Sequence, residues 1–264
     1  MDEVILAITE GKRPEYNIVD QLGRLIHKKI VKAYWHSDLL TLIDTIKADE
    51  YLDYGAYLRG KSGNEELDTI SLDQISSTFL FFDYDPMGVI LYGKARGGLE
   101  SYNRNIASLL ELCNDETQRL GKLYVSYPMV EALWHIQPPE GDAKDCVVPL
   151  DVLKRHGYKQ FIDKKTLLRS QCISEEQWIS LLKTHLERNL RFLSISNWDR
   201  DTVTIRNQTH AKEARICEIQ HAVFALSPFP SFIIDAGNDA DWKRLESADP
   251  MGGHCPVDCL PGNV

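Results

Sequence analysis

An apolar run that ends in two aspartates and a proline constrains this chain more than any other feature. The run Thr78–Phe82 is followed by Asp83, Tyr84, Asp85 and Pro86. A continuous apolar run of this length, stopped by proline, predicts a fully buried central strand. Because side chains at i and i+2 of a strand point the same way, Asp83 and Asp85 should project together from its carboxyl end. In open α/β sheets, ligands bind at that end.

The close spacing of these two aspartates has an electrostatic consequence. Carboxylates this near to each other repel unless a proton or a cation lies between them. A hard divalent cation such as Mg²⁺, held by one or two carboxylates, relieves the repulsion. The run alone leaves open the alternative that the strand ends in a solvated turn carrying two unrelated aspartates.

A second β-rich segment also ends in a carboxylate. Val4–Thr9 is short and apolar and is followed by Glu10, with Gly11 allowing a tight turn before Lys12. Apolar residues at helical spacing then predict an amphipathic helix to about residue 29. Neither GxGxxG nor GxxxxGK[ST] occurs in the chain, which excludes a dinucleotide-binding fingerprint and a P-loop.

Two further β-rich runs flank these segments in sequence. Ile30–Trp35 is predicted as a third strand, followed by a short helix at Asp38–Ile46. Leu123–Tyr127 is predicted as another strand, and Pro128 opens a helix that carries Glu131, a third acid just past the end of a β-rich run. The alternative for Glu131 is a surface carboxylate in the favourable first turn of a helix.

Composition indicates a soluble globular protein. Of 264 residues, 43% are hydrophobic and 26% are charged, which is ordinary for such proteins. No apolar stretch approaches the roughly 20 residues that a membrane-spanning helix needs, and the amino terminus lacks the basic lead region of a signal peptide. Six cysteines without a framework spacing favour reduced thiols. We therefore expect a cytoplasmic protein with no membrane association.

Charge is distributed unevenly along the chain. The net charge of −9 argues against a general nucleic-acid coat protein. Residues 152–191, however, carry nine Lys or Arg against four Asp or Glu, a net of +5 that leaves −14 for the rest. This basic sector is either a phosphate-binding face, with Lys164, Lys165 and Arg169 as candidate nucleic-acid contacts, or the solvated face of helices.

A Gly-rich, partly basic loop at residues 92–98 is either a lid or substrate contact or an ordinary surface loop.

The pattern divides the chain into three predicted parts. Residues 1–137 form an α/β domain with a central, mostly parallel sheet and helices on both faces. Residues 138–236 form a smaller, helical basic sector. Its clearest element is a helix that Ser174 opens through a capping box. Residues 222–234 are predicted as a late strand, turning at two prolines, that packs on the core.

The third predicted part is a flexible tail at residues 237–264, which are rich in Gly, Pro and Asp. His254, Cys255 and Cys259 lie in this tail. They lack a fourth zinc ligand, so a flexible tail is the favoured interpretation and a zinc site is the alternative.

Two of the acidic segments together resemble the TOPRIM domain. Glu10 lies in Ile-Thr-Glu-Gly-Lys after the first strand, and Asp83 and Asp85 form the Asp-x-Asp of Phe-Phe-Asp-Tyr-Asp after a later one. A third segment, Ser126–His135, is similar to a segment with Pro, Glu and Trp in RloB-type TOPRIM proteins. It also resembles related effectors of bacterial anti-phage systems, among them the TOPRIM subunit of PARIS. The resemblance covers residues 3–135 well and the later half only loosely.

The chain departs from the TOPRIM pattern in some respects. Arg13-Pro14 is an unusual continuation of the turn after Glu10. The chain also lacks a tyrosine in a recognisable topoisomerase context and a primase zinc module. Topoisomerase and primase activities are therefore not expected.

The resemblance implies a TOPRIM-like, Rossmann-like fold and a Mg²⁺- or Mn²⁺-dependent endonuclease. Such an enzyme would cleave phosphodiester bonds of RNA, tRNA included, or of DNA, as the effector of an anti-phage system. Glu10, Asp83 and Asp85 would ligate the metal, with Glu10 alternatively acting as general acid or base. Lys12 would stabilise phosphate charge in the transition state, and Glu131 is a further candidate catalytic acid.

The resemblance also implies partners. One is a nucleic-acid substrate. Another is a separate ABC- or OLD-type ATPase, since this chain has no P-loop. A second copy of the chain is a further option. Two competing interpretations remain open. One is a non-catalytic TOPRIM-like module that binds nucleic acid or a partner protein, and the other is a small-molecule phosphotransferase or phosphatase that uses the same carboxylates.

Overall fold

The computed structural model describes residues 3–49, 51–136, 146–163, 174–196 and 200–251. Two sets of residues singled out from the sequence lie outside these ranges. They are the candidate nucleic-acid contacts Lys164, Lys165 and Arg169, and the tail residues His254, Cys255 and Cys259.

Strands and helices alternate through the first half of the chain. In order they are β1 (Val4–Thr9), α1 (Glu15–Leu25), β2 (Lys29–Tyr34), α2 (Leu39–Ala48), α3 (Tyr54–Leu58), α4 (Glu65–Asp68), the 3₁₀ helix Leu72–Gln74, β3 (Ile75–Asp83), α5 (Pro86–Tyr92), α6 (Gly98–Leu112), β4 (Lys122–Ser126) and the 3₁₀ helix Val130–Trp134. The four strands predicted in this first half are all present. The helix predicted after Pro128 is instead the 3₁₀ helix.

The four strands β1 to β4 form one parallel sheet in the order β2-β1-β3-β4. Thr9 at the end of β1 pairs with Tyr34 on one side and with Phe81 on the other, and Asp83 pairs with Ser126. All carboxyl ends therefore meet at one edge of the sheet. The predicted α/β class with a parallel sheet is confirmed.

Both faces of the sheet are covered. Every residue of β1 and of β4 is buried, as expected of strands packed on both sides. On one face Phe79 and Phe81 pack against Phe232, at ring-centre distances of 4.9 and 5.4 Å. On the other, Phe82 packs edge-on against Trp35 at 6.4 Å.

The second half of the described chain is mainly helical. Its elements are β5 (Val147–Pro149), α7 (Leu150–Asp163), α8 (Glu175–Leu193), α9 (Thr202–Gln220), β6 (Ala222–Phe224), α10 (Phe229–Ala236) and α11 (Asp239–Ser247). The Ser174 capping box predicted from the sequence opens α8, with Gln177 at its third position. None of the helices in these described ranges is both long enough and apolar enough to cross a bilayer.

Two predictions for this half were wrong. The late strand predicted at 222–234 is a strand only at Ala222–Phe224, where it pairs antiparallel with β5. The following residues form α10, because Pro230 lies in the first helical turn, where the missing amide hydrogen costs nothing.

The predicted flexible tail also begins with ordered structure. Asn238 opens α11 through a capping box with Asp241, and Trp242 and Leu245 are buried. The capping box supplies hydrogen-bond partners for the free amides of the first turn, and the two apolar side chains anchor the helix. Residues 237–251 are therefore part of the packed structure, and 252–264 lie outside the described residues.

The predicted boundary at 137/138 does not separate two hydrophobic cores. Trp134 packs edge-on against Trp178 of α8 at 5.5 Å. Phe81 of the sheet packs against Phe229 of α10 at 5.5 Å. Arg206 of α9 donates a hydrogen bond to the backbone oxygen of Leu123 in β4. The helices of the second half thus share one core with the sheet.

The carboxyl end of the edge strand β2 is held by Asn64. This side chain is fully buried, accepts from the backbone N–H of Tyr34 at 2.6 Å and donates to the carbonyl oxygens of Tyr34 and Leu58 at 3.2 and 3.0 Å. The amide therefore satisfies strand groups that no further strand pairs with, and fixes where β2 ends.

We predict that Asn64→Ala destabilises the protein by about 2–4 kcal/mol, because three buried or partly buried backbone groups lose their partners. Urea unfolding followed by circular dichroism measures the effect. The matched control is Asn17→Ala on the exposed side of α1. Equal unfolding midpoints for the two variants would contradict this role for Asn64.

Candidate active site

Each of the four parallel strands is followed, or ended, by an acidic residue at the same edge of the sheet. Asp38 follows β2, Glu10 follows β1, Asp83 and Asp85 end β3, and Glu131 follows β4. We call these five residues the acidic edge. The parallel sheet thus brings together acids that are up to 121 positions apart in the sequence.

Glu10 and Asp83 are in direct contact. The backbone N–H of Asp83 donates to Oε2 of Glu10 at 3.0 Å, and the backbone N–H of Glu10 donates to the carbonyl of Phe81 at 3.0 Å. Oδ1 of Asp83 in turn accepts from the backbone N–H of Val130 at 2.8 Å. These bonds tie the ends of β1 and β3 to the segment after β4, which carries Glu131.

Asp85 is fixed by the start of α5. Its Oδ1 accepts from the backbone N–H groups of Met87 and Gly88, both at 3.1 Å, and Pro86 occupies the first helical turn. This is a helix N-cap, in which a carboxylate satisfies amides that have no partner within the helix. Asp85 is therefore oriented by a local helix cap, whereas Asp83 is oriented by the backbone N–H of Val130, which is distant in sequence.

Asp38 and Lys94 form an ion pair beside Asp85. Asp38 caps α2 by accepting from the backbone N–H of Thr41 at 3.1 Å, and its Oδ2 lies 3.1 Å from Nζ of Lys94. A recess opens here. It is lined by Asp38, Leu39, Leu40, Asp83, Asp85, Val89, Lys94 and Tyr102. We call it the acidic recess.

Crowding and burial shift the titration of the acidic edge. The pKa of Glu10 rises from 4.5 to about 7, mainly because the carboxyl is removed from water. The amide of Asp83 opposes this rise, and the charges of Asp38 and Asp85 add to it. Burial, followed by the charges of Glu10 and Glu131, raises the pKa of Asp83 well above its usual range. Such shifts are typical of groups used in proton transfer.

Lys12 is not among the residues that line the acidic recess. It is exposed, its Nζ packs against Gly63 and lies 5.8 Å from the ring centre of Tyr34, and its charge helps to lower the pKa of Glu65. The lysine that lines the recess is Lys94 instead. The phosphate-stabilising role of Lys12 stays a prediction.

The carboxylates of Glu10, Asp83 and Asp85 are ligands that suit a hard divalent cation, but their side chains do not converge around one point. Carboxylate oxygens are the ligands that Mg²⁺ and Mn²⁺ prefer. Burial is the main cause of the raised pKa values of Glu10 and Asp83, and neighbouring carboxylates, whose repulsion a cation would relieve, add to the rise. Within the described residues, however, no three His, Cys, Asp or Glu side chains converge at metal-ligand spacing. Ligation by Glu10, Asp83 and Asp85 stays a prediction.

Three charged residues near the site were not predicted from the sequence: Asp38, Lys94 and Glu15. Glu15 is buried, and its charge also raises the pKa values of Glu10 and Asp83. Asp38 had a local signal, since it precedes a predicted helix directly after a predicted strand. Lys94 lay in the basic loop at residues 92–98. The parallel sheet brings Asp38 and Lys94 together, because it places the segment after β2 at the same edge as the segment after β3.

The Lys and Arg side chains of α8 contact carbonyl and carboxylate groups within the protein. Arg188 is buried and donates to the carbonyl of Ala225 at 3.1 Å. Arg191 pairs with Glu187 at 3.4 Å, and Lys183 donates to the carbonyl of Glu246 at 2.6 Å. This part of the predicted basic sector therefore holds the fold together and does not offer an open phosphate-binding face.

Comparison of the chain with protein-family models, with curated proteins and with solved structures found no match. The TOPRIM resemblance rests on the three motifs around Glu10, Asp83 and Glu131.

The raised pKa of Glu10 predicts a pH-dependent loss of stability. An acid whose folded pKa exceeds its unfolded value stabilises the fold below the unfolded pKa, and that contribution is lost as the pH rises through the folded pKa. Between pH 4.5 and about 7 the parent should therefore lose roughly 1–3 kcal/mol relative to Glu10→Gln.

Urea unfolding of both proteins at closely spaced pH values measures this difference. The matched control is Glu3→Gln, an exposed glutamate just before the opposite end of β1. If the difference between parent and Glu10→Gln stays constant across this pH range, Glu10 titrates normally and the crowding argument is wrong.

Proposed function

We propose that this protein is a divalent-metal-dependent nuclease of the TOPRIM type, acting on phosphodiester bonds of RNA or DNA. The observation that carries the proposal is the acidic edge, with Glu10 and Asp83 in contact and Asp85 held nearby. Acids at the carboxyl ends of several parallel strands occupy the position where α/β proteins carry out chemistry. A site built only to bind polyanions would gain from Lys or Arg at these positions.

The proposed roles follow from the geometry of each acid. A bound Mg²⁺ or Mn²⁺ would neutralise phosphate charge and activate an attacking oxygen. Asp83 and Asp85, oriented by backbone amides, would hold it. Glu10, with a pKa near 7, is suited to accept or donate a proton at neutral pH. Glu131 adds negative charge beside Asp83 and is the further candidate acid.

The biological setting is proposed from the resemblance alone. As in RloB-type and PARIS-type systems, the nuclease would be the effector of a bacterial anti-phage defence. It would act in the cytoplasm with a separate ABC- or OLD-type ATPase, since no P-loop sequence occurs in this chain, and with a second copy of itself as a further option.

A second candidate is a non-catalytic TOPRIM-like module that binds nucleic acid or a partner protein. The observation that favours it is the lack of a converging ligand set among the described side chains. In such a module the acidic edge would have no reaction to perform, and removing its negative charge would not weaken nucleic-acid binding.

The nuclease proposal predicts that Glu10→Gln lowers cleavage by roughly 10²–10⁴, the usual contribution of a positioned acid or base. Nucleic-acid affinity should change little. Total RNA and plasmid DNA incubated with Mn²⁺, with and without chelator, provide the assay, and Glu3→Gln is the control expected to cut like the parent. Parent protein that cuts neither substrate, even with its partner ATPase added, would favour the binding module.

The metal assignment predicts that Mn²⁺ or Mg²⁺ raises the melting temperature of the parent, because a cation relieves repulsion among the acids of the native state. The double variant Asp83→Asn, Asp85→Asn should lose this shift while remaining folded, since asparagine oxygens can still accept the bonds from Val130 and Gly88. Asp44→Asn, an exposed aspartate of α2, is the control that should keep the shift. A full metal response in the double variant would rule out these ligands.

A further inference from the structure

Lys94 is the positively charged side chain that lines the acidic recess. Of the eight residues that line it, three are aspartates and one is a lysine. The side chain of Lys94 is 42% exposed, and its ammonium lies 3.1 Å from Asp38. A phosphate entering this recess would meet three carboxylates and, among the described lining residues, a single positive charge.

Local backbone features place Lys94 there. Helix α5 ends at Gly93, whose left-handed backbone (φ of 61°) turns the chain back. The aliphatic stem of Lys94 then passes over Gly88 at the start of the same helix. A Cβ at Gly88 would lie 3.2 Å from Cδ of Lys94 and 2.8 Å from Oδ2 of Asp85. The bare backbone of Gly88 therefore lets both side chains approach the recess.

The pair with Asp38 keeps Lys94 charged without holding it tightly. The pKa of Lys94 is raised by its hydrogen bond with Asp38 and by the nearby charges of Asp85 and Glu10. An ion pair this exposed to water contributes little to stability, so the ammonium can exchange one oxygen partner for another at small cost.

We propose that Lys94 is the substrate-binding residue of the recess, and that it exchanges Asp38 for a phosphate oxygen of the nucleic-acid backbone when substrate enters. This inference rests on the proposed function and deepens it, since it names the group that makes a polyanion acceptable to an acidic site. Asp38 acts as the partner that positions the ammonium before the substrate arrives.

Equilibrium binding of fluorescently labelled oligonucleotides tests the inference without requiring cleavage. Fluorescence anisotropy is measured against single-stranded RNA and duplex DNA over a range of salt concentrations. Lys94→Met should weaken binding about tenfold and lower the slope of log affinity against log salt by roughly 0.7 for the single strand or 0.9 for the duplex, the value of one phosphate contact. Lys94→Arg should retain most of the affinity.

Two further variants complete the design. Arg96→Met removes an exposed cation of the same loop, outside the recess, and should leave the salt slope unchanged. Asp38→Asn releases Lys94 and should strengthen binding several-fold, and should do so only while Lys94 is present. Thermal melts followed by circular dichroism establish that each variant is folded.

The inference is overturned if Lys94→Met and Arg96→Met have equal affinities and slopes, or if Asp38→Asn has the same effect with and without Lys94. Its failure is distinct from failure of the proposed function. Parent protein that binds oligonucleotides through Lys94 but never cuts them would contradict the nuclease and leave the phosphate contact standing. Parent protein that cuts equally well after Lys94→Met would contradict the contact and leave the nuclease standing.

Discussion

Repulsion among carboxylates at one edge of the sheet is the constraint on which the rest of this structure depends. Four parallel strands must end at the same edge, and in this chain an acid ends or follows each of them. The fold accommodates the crowding in three ways. Backbone amides bind Asp83 and Asp85, Lys94 neutralises Asp38, and Glu10 is partly protonated near neutral pH.

The second half of the chain supplies the support that such an edge needs. At the opposite end of β4, the buried Lys122 pairs with Asp235 at 2.8 Å and with Glu116 at 3.3 Å. Asp235 also accepts hydrogen bonds from Tyr124 and Thr202. Because a buried charge left without its partner is costly, this network requires β4, α9 and α10 to keep their relative arrangement. This network fixes α9 and α10 against the sheet, so the acidic edge is built on a rigid core.

The sequence was most informative where local pattern alone decides structure. The run ending at Asp83 and the segment ending at Glu10 were sufficient to predict buried parallel strands, and strand order then placed the two acids in contact. The pairing of Asp38 with Lys94 joins segments that follow β2 and β3, which lie on either side of β1 in the sheet, so no local pattern contains it. The helix at Asp239–Ser247 was missed although its capping box is visible in the sequence, because Gly, Pro and Asp nearby suggested a flexible tail. The sequence left open whether the cations of α8 bind phosphate or face solvent, and it could not show their internal contacts, because the carbonyl groups that Arg188 and Lys183 contact are distant in sequence.

We propose that the acidic edge binds a divalent cation between Glu10, Asp83 and Asp85. Anomalous diffraction from crystals of the protein soaked in Mn²⁺ tests it most directly, because the scattering peak locates the ion without any assumption about activity. We expect a peak within ligand distance of these carboxylates, which move from their amide partners toward the ion. The peak should be lost in crystals of Asp83→Asn, Asp85→Asn. Ordered crystals that show no manganese at this edge, or show it only elsewhere, would contradict a metal site at the acidic edge.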